Sequence, residues 1–215
     1  MSAGLKNAHK NLPDSPSSQR ILAAAEALFG AQGYDAVSVN AIAGRASVSK
    51  ANIFHHFTSK NALYLAVLQA AAKETRERID VLQNTEGNFV EHLSHFCQEH
   101  LQSILQRDYI SRLVLRDLLE EGETRGQELA EQVFGRNFAK FVEMIRLGQS
   151  RRELRSDLDP AALAVLLIAA NVYYFLARSV LPHLPDVDFA GQPQRYSNKI
   201  MQLLQQGILP DAPNK

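Results

Sequence analysis

The feature that most constrains this chain is the segment of residues 38–60, SVNAIAGRASVSKANIFHHFTSK, whose apolar residues describe two short helices meeting at a tight turn. Ile42, Val48 and Ile53 recur at the spacing that closes a small apolar wedge between crossing helices. Ala43 falls where the two helices pass closest, and a bulkier side chain there would separate them. The segment therefore predicts a helix-turn-helix with one polar face.

The residues at the helix ends support this interpretation. Ser38 and Ser49 each precede a predicted helix, where a hydroxyl accepts a hydrogen bond from an otherwise unpaired backbone N–H. Ser47 occupies the turn, where a left-handed backbone usually calls for glycine, and a side chain there costs on the order of 1 kcal/mol. We therefore expect Ser47 to be left-handed and to weaken the turn.

A longer stretch, residues 20–68, resembles the DNA-binding domain of the TetR family of bacterial regulators. Two positions depart from the family pattern: Ser47 replaces the usual turn glycine, and Phe54 replaces a tyrosine whose hydroxyl commonly contacts a phosphate. The resemblance rests on an Ile-Leu-x-Ala-Ala start, Leu28-Phe29, Gly33-Tyr34, Ser38, Ile42-Ala43, Val48-Ser49-Lys50, the aromatic pair before Phe57, and Ser59-Lys60.

The resemblance implies an all-α protein of about nine helices that dimerises through its last two. We expect a disordered N-terminal arm at 1–17, which is polar and contains two prolines, a three-helix DNA-binding domain at 18–64, and a larger helical ligand-binding and dimerisation domain at 65–210. No alternating run predicts a strand. Apolar periodicity predicts helices at about 18–32, 59–82, 87–106, 109–121, 125–150, 159–181 and 192–207.

Charge is distributed unevenly along the chain. The whole chain is neutral, but residues 1–73 contain seven Lys/Arg and three Asp/Glu, so the part that carries the motif is basic. Cys97 is the sole cysteine and has no partner for an internal disulfide, and the first residues lack the pattern of a signal peptide. We therefore expect a cytoplasmic protein.

Three residues in the first turn of the second motif helix are candidates for contacts with base edges. Lys50 can donate to guanine, Asn52 can make a paired contact with adenine, and Ala51 is small enough to admit a thymine methyl group. Ser49 caps this helix at the end that enters the major groove.

Other residues of the motif are candidates for phosphate contacts. Ser38 and Asn40 lie at the N-terminus of the first motif helix, where the helix dipole favours anions. The family resemblance implies phosphate contacts for His55, His56 and Lys60. Three alternatives remain open: Ser38 only caps its helix, Asn40 is only solvated, and His56 only packs on Phe57.

A monomer would read too few bases to find a site, so we expect a twofold dimer on a palindromic operator. Residues 161–176 are apolar apart from Asn171, but the run is rich in alanine and shorter than the roughly 20 residues of a membrane span. Burial within the monomer core is the alternative to an interface. The predicted dimer interface comprises Ala162, Val165, Ala169, Val172, Tyr173, Ile200, Leu203, Leu204 and Gly207.

The family resemblance implies that an inducer binds the second domain and spreads the DNA-reading domains. His100 is a polar ring on an apolar helix face. It either orients a ligand or forms a hydrogen bond within the core. His92, His95 and Glu99 share another face, but solvated side chains are favoured over a metal site there. The candidate pocket residues are Phe96, His100, Met144, Asn171 and Tyr174.

The sequence contains no motif typical of a catalytic site, phosphate-binding loop or zinc protease, so we expect neither enzyme activity nor a cofactor. We predict a homodimeric, DNA-binding transcriptional repressor released by a small-molecule inducer. The sign of regulation rests on the family resemblance. An activator, a DNA-binding protein without a ligand, and a helical protein-interaction module remain alternatives.

Overall fold

The computed structural model describes residues 15–83, 88–120 and 122–208. In these ranges the chain is helical and contains no strand, which confirms the predicted fold class. If α7, α8 and the π-helical turn between them (Ala130–Phe134) are counted as one interrupted helix, the described residues form the nine predicted helices. The helices are α1 (Pro16–Gln32), α2 (Val39–Ala46), α3 (Lys50–His56), α4 (Lys60–Gln83), α5 (Phe89–Gln106), α6 (Asp108–Glu120), α7 (Gly122–Leu129), α8 (Gly135–Ser150), α9 (Pro160–Ala177) and α10 (Pro193–Ile208).

The described residues form two compact units. The first unit extends to residue 74 and includes 108–135, whereas the second unit comprises 75–107 and the residues from 136 onwards. Helices α6 and α7 thus belong with the helix-turn-helix, whereas the sequence predicts them within a second domain at 65–210. The physical reason is that Ile110 and Leu113 of α6 join the apolar core of the first unit.

The core of the first unit fixes the geometry of the predicted motif. Ile42, Ala43 and Ile53 are buried in this core, and Val48 packs against it. Ser47 has φ of 53° and ψ of 48°, which confirms the left-handed turn. The two motif helices are therefore held at a fixed angle.

Helix α1 begins earlier than predicted. Ser15 is its N-cap, and its hydroxyl accepts a hydrogen bond from the Ser18 N–H at 3.1 Å, with Pro16 in the first helical position. Proline is favoured there because that N–H has no partner within a helix. Pro16 and Ser17 are thus helical, and not part of the predicted arm; residues 1–14 of that arm lie outside the described residues.

The predicted helix over 125–150 is interrupted by the π-helical turn. The Gly135 N–H donates to the carbonyl oxygen of Ala130, five residues earlier, and a Cβ on Gly135 would lie 2.4 Å from that oxygen. Glycine therefore permits the close approach, and the prediction of one regular helix here was wrong.

The second unit has its own apolar core, built from α5, α8 and α9 around Leu93, Phe141 and Ala164. Asp159 caps α9 by accepting hydrogen bonds from the first free backbone N–H groups of the helix. Among the described residues, α9 alone has the length and apolar composition of a membrane span, with a mean hydropathy of 1.9. A core or interface helix of a globular protein meets the same criteria.

Candidate nucleic-acid interface

Helix α3 turns its large aliphatic residue inward and exposes mostly polar side chains. Ile53 is buried, and Phe57, which follows the helix, is buried beside it. The Ser49 hydroxyl accepts a hydrogen bond from the Asn52 N–H at 3.1 Å, as predicted for the cap. Lys50, Ala51 and His55 are exposed on the opposite side, where a base or a phosphate can reach them.

Phe54, one of the two departures from the family pattern, is also exposed on α3. Its ring centroid lies 5.9 Å from Nζ of Lys50, within the range of a cation–π contact. The ring therefore gives the lysine a local partner on the surface, and it lacks the hydroxyl with which a tyrosine would also offer a hydrogen bond.

Asn52 and His56 are half-buried on α3, and both contact Ser17 of α1. Oγ of Ser17 lies 2.9 Å from Oδ1 of Asn52 and 2.9 Å from Nε2 of His56. These are three polar side chains in one hydrogen-bonded group. Ser17 is not among the predicted site residues, because it falls within the predicted disordered arm; the signal that could have found it is Ser15-Pro16, since a serine followed by proline is a recognised helix start.

The remaining phosphate candidates lie around the N-termini of α2 and α4. The Ser38 hydroxyl accepts from the Ala41 N–H at 3.1 Å, and Asn40 is exposed in the first turn of α2. Nζ of Lys60 lies 4.3 Å from the ring centroid of Tyr34 and 3.4 Å from the carbonyl oxygen of Asp35. Lys60 is thus held at the edge of the motif by an aromatic ring and a backbone carbonyl. Neither of these two contacts neutralises its positive charge.

Behind this surface, the first unit contains a buried polar cluster. The Tyr64 hydroxyl donates to Oδ2 of Asp117, and the Nε of Arg125 donates to the same oxygen at 3.2 Å. Arg125 also donates to Asn61 and Glu128. Burial, and then the hydrogen bond to Asp117, raise the pKa of Tyr64, which keeps its proton on the phenol oxygen.

In the second unit, two of the predicted pocket residues are bonded to each other. Nδ2 of Asn171 donates to the carbonyl oxygen of Cys97 at 2.9 Å and lies 3.0 Å from Nδ1 of His100. The amide nitrogen can donate hydrogen bonds but cannot accept them, so Nδ1 of His100 is the acceptor. Burial lowers the pKa of His100 to about 4, in agreement with a neutral ring.

The other predicted pocket residues are packed in the second unit. Phe96 stacks on His100 and lies 4.1 Å from Phe141 between ring centroids, and Met144 belongs to the same core. The Tyr174 hydroxyl donates to the carbonyl oxygen of Ala190 at 2.7 Å. The structure thus brings Phe96, His100 and Asn171 together. The hydroxyl of Tyr174 instead forms its hydrogen bond with another part of the second unit.

A small cavity of about 140 Å³ lies between α5 and α10. None of the predicted pocket residues lines it. The residues that line it are mostly of polar, uncharged type, and the buried hydroxyl of Ser197 has no hydrogen-bond partner in the structure. The lining residues are Gln98, Gln102, Leu105, Pro193, Gln194 and Ser197.

Helix α9 has an exposed apolar face that includes most of the predicted dimer residues. Val165 and Tyr173 are 55% and 62% exposed, and Ala162 and Ala169 are exposed beside them, with Val172 partly so. Leu166 and Leu176, which were not predicted, extend the face and are more than half exposed.

The predicted residues of α10 divide into two groups. Leu203 and Gly207 are exposed, whereas Ile200 and Leu204 pack against apolar clusters of the second unit. In an α-helix, neighbouring residues point about 100° apart, so adjacent leucines can have opposite environments.

No group of three or more His, Cys, Asp or Glu side chains suited to a metal ion occurs within residues 15–83, 88–120 and 122–208. His92, His95 and Glu99 lie in this part of the chain. They therefore do not form such a site.

Comparison with known proteins gives matches at the levels of sequence and fold. The family model described as "Bacterial regulatory proteins, tetR family" matches residues 21–67. The HTH-type transcriptional regulator UidR of Escherichia coli K12 is 26% identical over 160 residues, which cover 71% of this chain and 76% of UidR.

Two solved structures have similar folds at low sequence identity. The fatty acid degradation regulator FadR of Bacillus halodurans has a TM-score of 0.74 and 17% identity, covering 91% of this chain and 97% of that one. The transcriptional regulator FadR of Bacillus subtilis, solved in complex with stearoyl-CoA, has a TM-score of 0.72 and 17% identity, covering 88% and 98%. The relatives are transcriptional regulators and not enzymes.

Proposed function

Because this chain belongs to the TetR family of bacterial transcriptional regulators, we propose that it is a homodimeric repressor that binds a palindromic operator and leaves it when a small molecule binds. The observation that carries this proposal is the packed helix-turn-helix with an exposed polar α3. A regulator of this kind acts where the DNA is, and we therefore assign it to the cytoplasm.

Base reading is assigned to the first turn of α3, where Lys50 and Ala51 are exposed and Asn52 is partly so. A short helix of this kind enters the major groove, where lysine and asparagine can donate to base edges. Phosphate contacts are assigned to Ser38, Asn40, Ser49, His55, His56 and Lys60.

The exposed apolar face of α9 supports the proposal of a twofold dimer. Side chains more than half exposed, such as Val165 and Tyr173, form a contiguous apolar surface, which monomeric proteins seldom present. Leu203 on α10 adds to the apolar surface of the same unit. A second copy is the occupant that also doubles the base contacts and gives the operator its palindromic symmetry.

The inducer is assigned to the second unit near His100 and Asn171. These two polar side chains are bonded to each other beside the ring of Phe96, and a ligand that competes for their hydrogen bonds would alter the packing of α5 on α9. Stearoyl-CoA in the Bacillus subtilis FadR structure makes acyl-CoA thioesters the first compounds to test. Release of DNA requires that the inducer bind the DNA-free conformation more tightly.

The experiment is capture of genomic DNA fragments by the purified protein, with and without acyl-CoA thioesters or a metabolite extract. We expect enrichment of a palindromic site near a promoter and loss of that enrichment with the effective compound. Enrichment that no compound reduces would support a DNA-binding regulator without a ligand, which the hydrogen-bonded state of His100, Asn171 and Tyr174 favours as the second candidate. Lack of any enriched site at low salt would overturn the proposal.

A further inference from the structure

The hydroxyl of Ser17 connects two side chains of the DNA-reading helix. It lies in the first turn of α1 and is 2.9 Å from both Oδ1 of Asn52 and Nε2 of His56. Ser17 is not needed to cap α1, because the hydroxyl of Ser15 already accepts the hydrogen bond from the Ser18 N–H. The contacts of Ser17 therefore concern α3.

The direction of these hydrogen bonds follows from counting hydrogens. A serine hydroxyl has one hydrogen, and Oδ1 of an asparagine amide has none. Ser17 thus donates its hydrogen to Asn52 and must accept from His56, whose Nε2 carries the hydrogen. The chain of bonds runs from His56 through Ser17 to Asn52.

This direction limits what Asn52 can offer to a base. Its oxygen accepts from Ser17 with one of its two lone pairs, whereas both N–H donors of its Nδ2 are open. A paired contact with adenine uses both a donor and an acceptor of the amide, whereas the major-groove edge of guanine presents two acceptors, N7 and O6. An Asn52 whose donors are both open and whose oxygen is already partly engaged by Ser17 therefore matches guanine better than adenine.

We infer that Ser17 is a positioning residue for DNA specificity, which holds the Asn52 amide with its nitrogen available and so makes Asn52 select guanine over adenine. The inference rests on the proposed function, since it requires α3 to read the operator. It also replaces the paired adenine contact that residue type alone predicts for Asn52.

The test is selection from a library of randomised palindromic half-sites by the full-length protein and its variants. The base position assigned to Asn52 is the one whose preference is lost in Asn52→Ala. At that position we expect the wild type to select guanine, and Ser17→Ala to shift the ratio of adenine to guanine about tenfold towards adenine. Ser17→Thr, which keeps the hydroxyl, should retain the wild-type preference.

Two further comparisons separate positioning from general support of the fold. In the double variant, Ser17→Ala should have no effect on base preference once Asn52 is alanine. The position read by Lys50 should be unchanged in Ser17→Ala. If Ser17→Ala does not fold, as judged by circular dichroism, Ser17→Cys supplies a near-isosteric side chain that is a weaker donor.

The outcomes distinguish this inference from the proposed function. A wild-type protein that enriches no site would overturn both. A wild type that selects adenine at the Asn52 position, an unchanged preference in Ser17→Ala, or an equal loss at all positions would overturn the role of Ser17 while the DNA-binding function stands.

Discussion

The hydroxyl of Tyr64 donates a hydrogen bond to Oδ2 of Asp117 across 2.5 Å, and both side chains are buried in the first unit. The same oxygen accepts from Arg125, whose guanidinium carbon lies 4.8 Å from the centroid of the Tyr64 ring. Hydrogen bonds thereby connect the start of α4, which follows α3, to α6 and α7.

We expect Asp117→Asn to destabilise the protein by roughly 2–4 kcal/mol, because it leaves the buried Arg125 with less compensating charge. Tyr64→Phe should cost about 1 kcal/mol, since it removes one hydrogen bond and keeps the ring. Urea unfolding followed by far-ultraviolet circular dichroism measures both, as the chain has no tryptophan.

A matched control is Arg112→Ala, which breaks the exposed ion pair with Asp108 on the same α6. Its effect should stay within about 0.5 kcal/mol. Equal effects of Asp117→Asn and Arg112→Ala would show that the buried cluster does not hold this part of the first unit.

The features of α2 and α3 that the sequence predicted correctly are governed by local contacts. Ser38 and Ser49 cap helices through bonds to residues three positions away, and the left-handed Ser47 follows from the turn itself. Such interactions have a short sequence signature. Ser17 and Asn52 are 35 residues apart, and no spacing rule indicates that their helices bring them together.

The second unit shows the same limit. Helical periodicity placed Phe96 and His100 on one face of α5, which the structure confirms by their stacking. Periodicity could not reveal that Asn171 on α9 would donate a hydrogen bond to Nδ1 of His100. Adjacent Leu203 and Leu204 were assigned to one interface for a related reason, because apolar composition does not say which side of α10 contacts the monomer core.

The left-handed turn gives a prediction about stability. Ser47→Gly should stabilise the protein by about 1 kcal/mol, because glycine adopts φ of 53° without the clash of a Cβ. Thermal or urea unfolding measures the change. Ser38→Gly serves as the control, since glycine at a serine N-cap should instead cost a few tenths of a kcal/mol. Loss of stability in Ser47→Gly would contradict a strained turn.

His100 gives a prediction about pH. Its pKa is lowered by burial from 6.5 to about 4, so the unfolded chain takes up a proton at His100 before the folded protein does. The stability that comes from the neutral ring is therefore complete above pH 6.5 and is lost as the pH falls from 6.5 towards 4. For this single proton the slope approaches about 1.4 kcal/mol per pH unit.

The measurement is the free energy of unfolding of the wild type and of His100→Gln across this pH range. In the variant, the free energy of unfolding should fall less steeply with decreasing pH, because glutamine does not titrate. The difference in slope should correspond to at most one proton. His95→Gln, which removes an exposed histidine from the same α5, should keep the wild-type slope. Identical slopes for the wild type and His100→Gln would contradict the lowered pKa.

The dimer is tested on α10 with Leu203→Asp, because Leu203 is 69% exposed whereas its neighbour Leu204 packs in the core. We expect this variant to sediment as a folded monomer and to bind the operator roughly 100-fold more weakly, since the two half-sites no longer reinforce each other. Leu119→Asp, at a residue of α6 that is 83% exposed, should remain dimeric. A fully dimeric Leu203→Asp variant would remove this residue from the interface.

Lys50 and Lys60 are expected to have different roles at the DNA, and salt dependence can separate them. Lys50 is exposed in the first turn of α3, so Lys50→Ala should relax base preference at one position of each half-site and leave the others unchanged. Lys60 is held beside Tyr34 at the start of α4, outside the reading helix. Lys60→Ala should weaken binding to all sequences alike and reduce the salt slope by about one per half-site.

Binding titrations at several salt concentrations, on the selected operator and on single-base variants of it, measure both effects. Lys73→Ala is the control for a general loss of positive charge, because Lys73 lies far along α4 from its N-terminus. If Lys50→Ala lowered affinity equally for every base variant, Lys50 would be a phosphate contact, and base reading by α3 would then depend on Asn52 and Ala51.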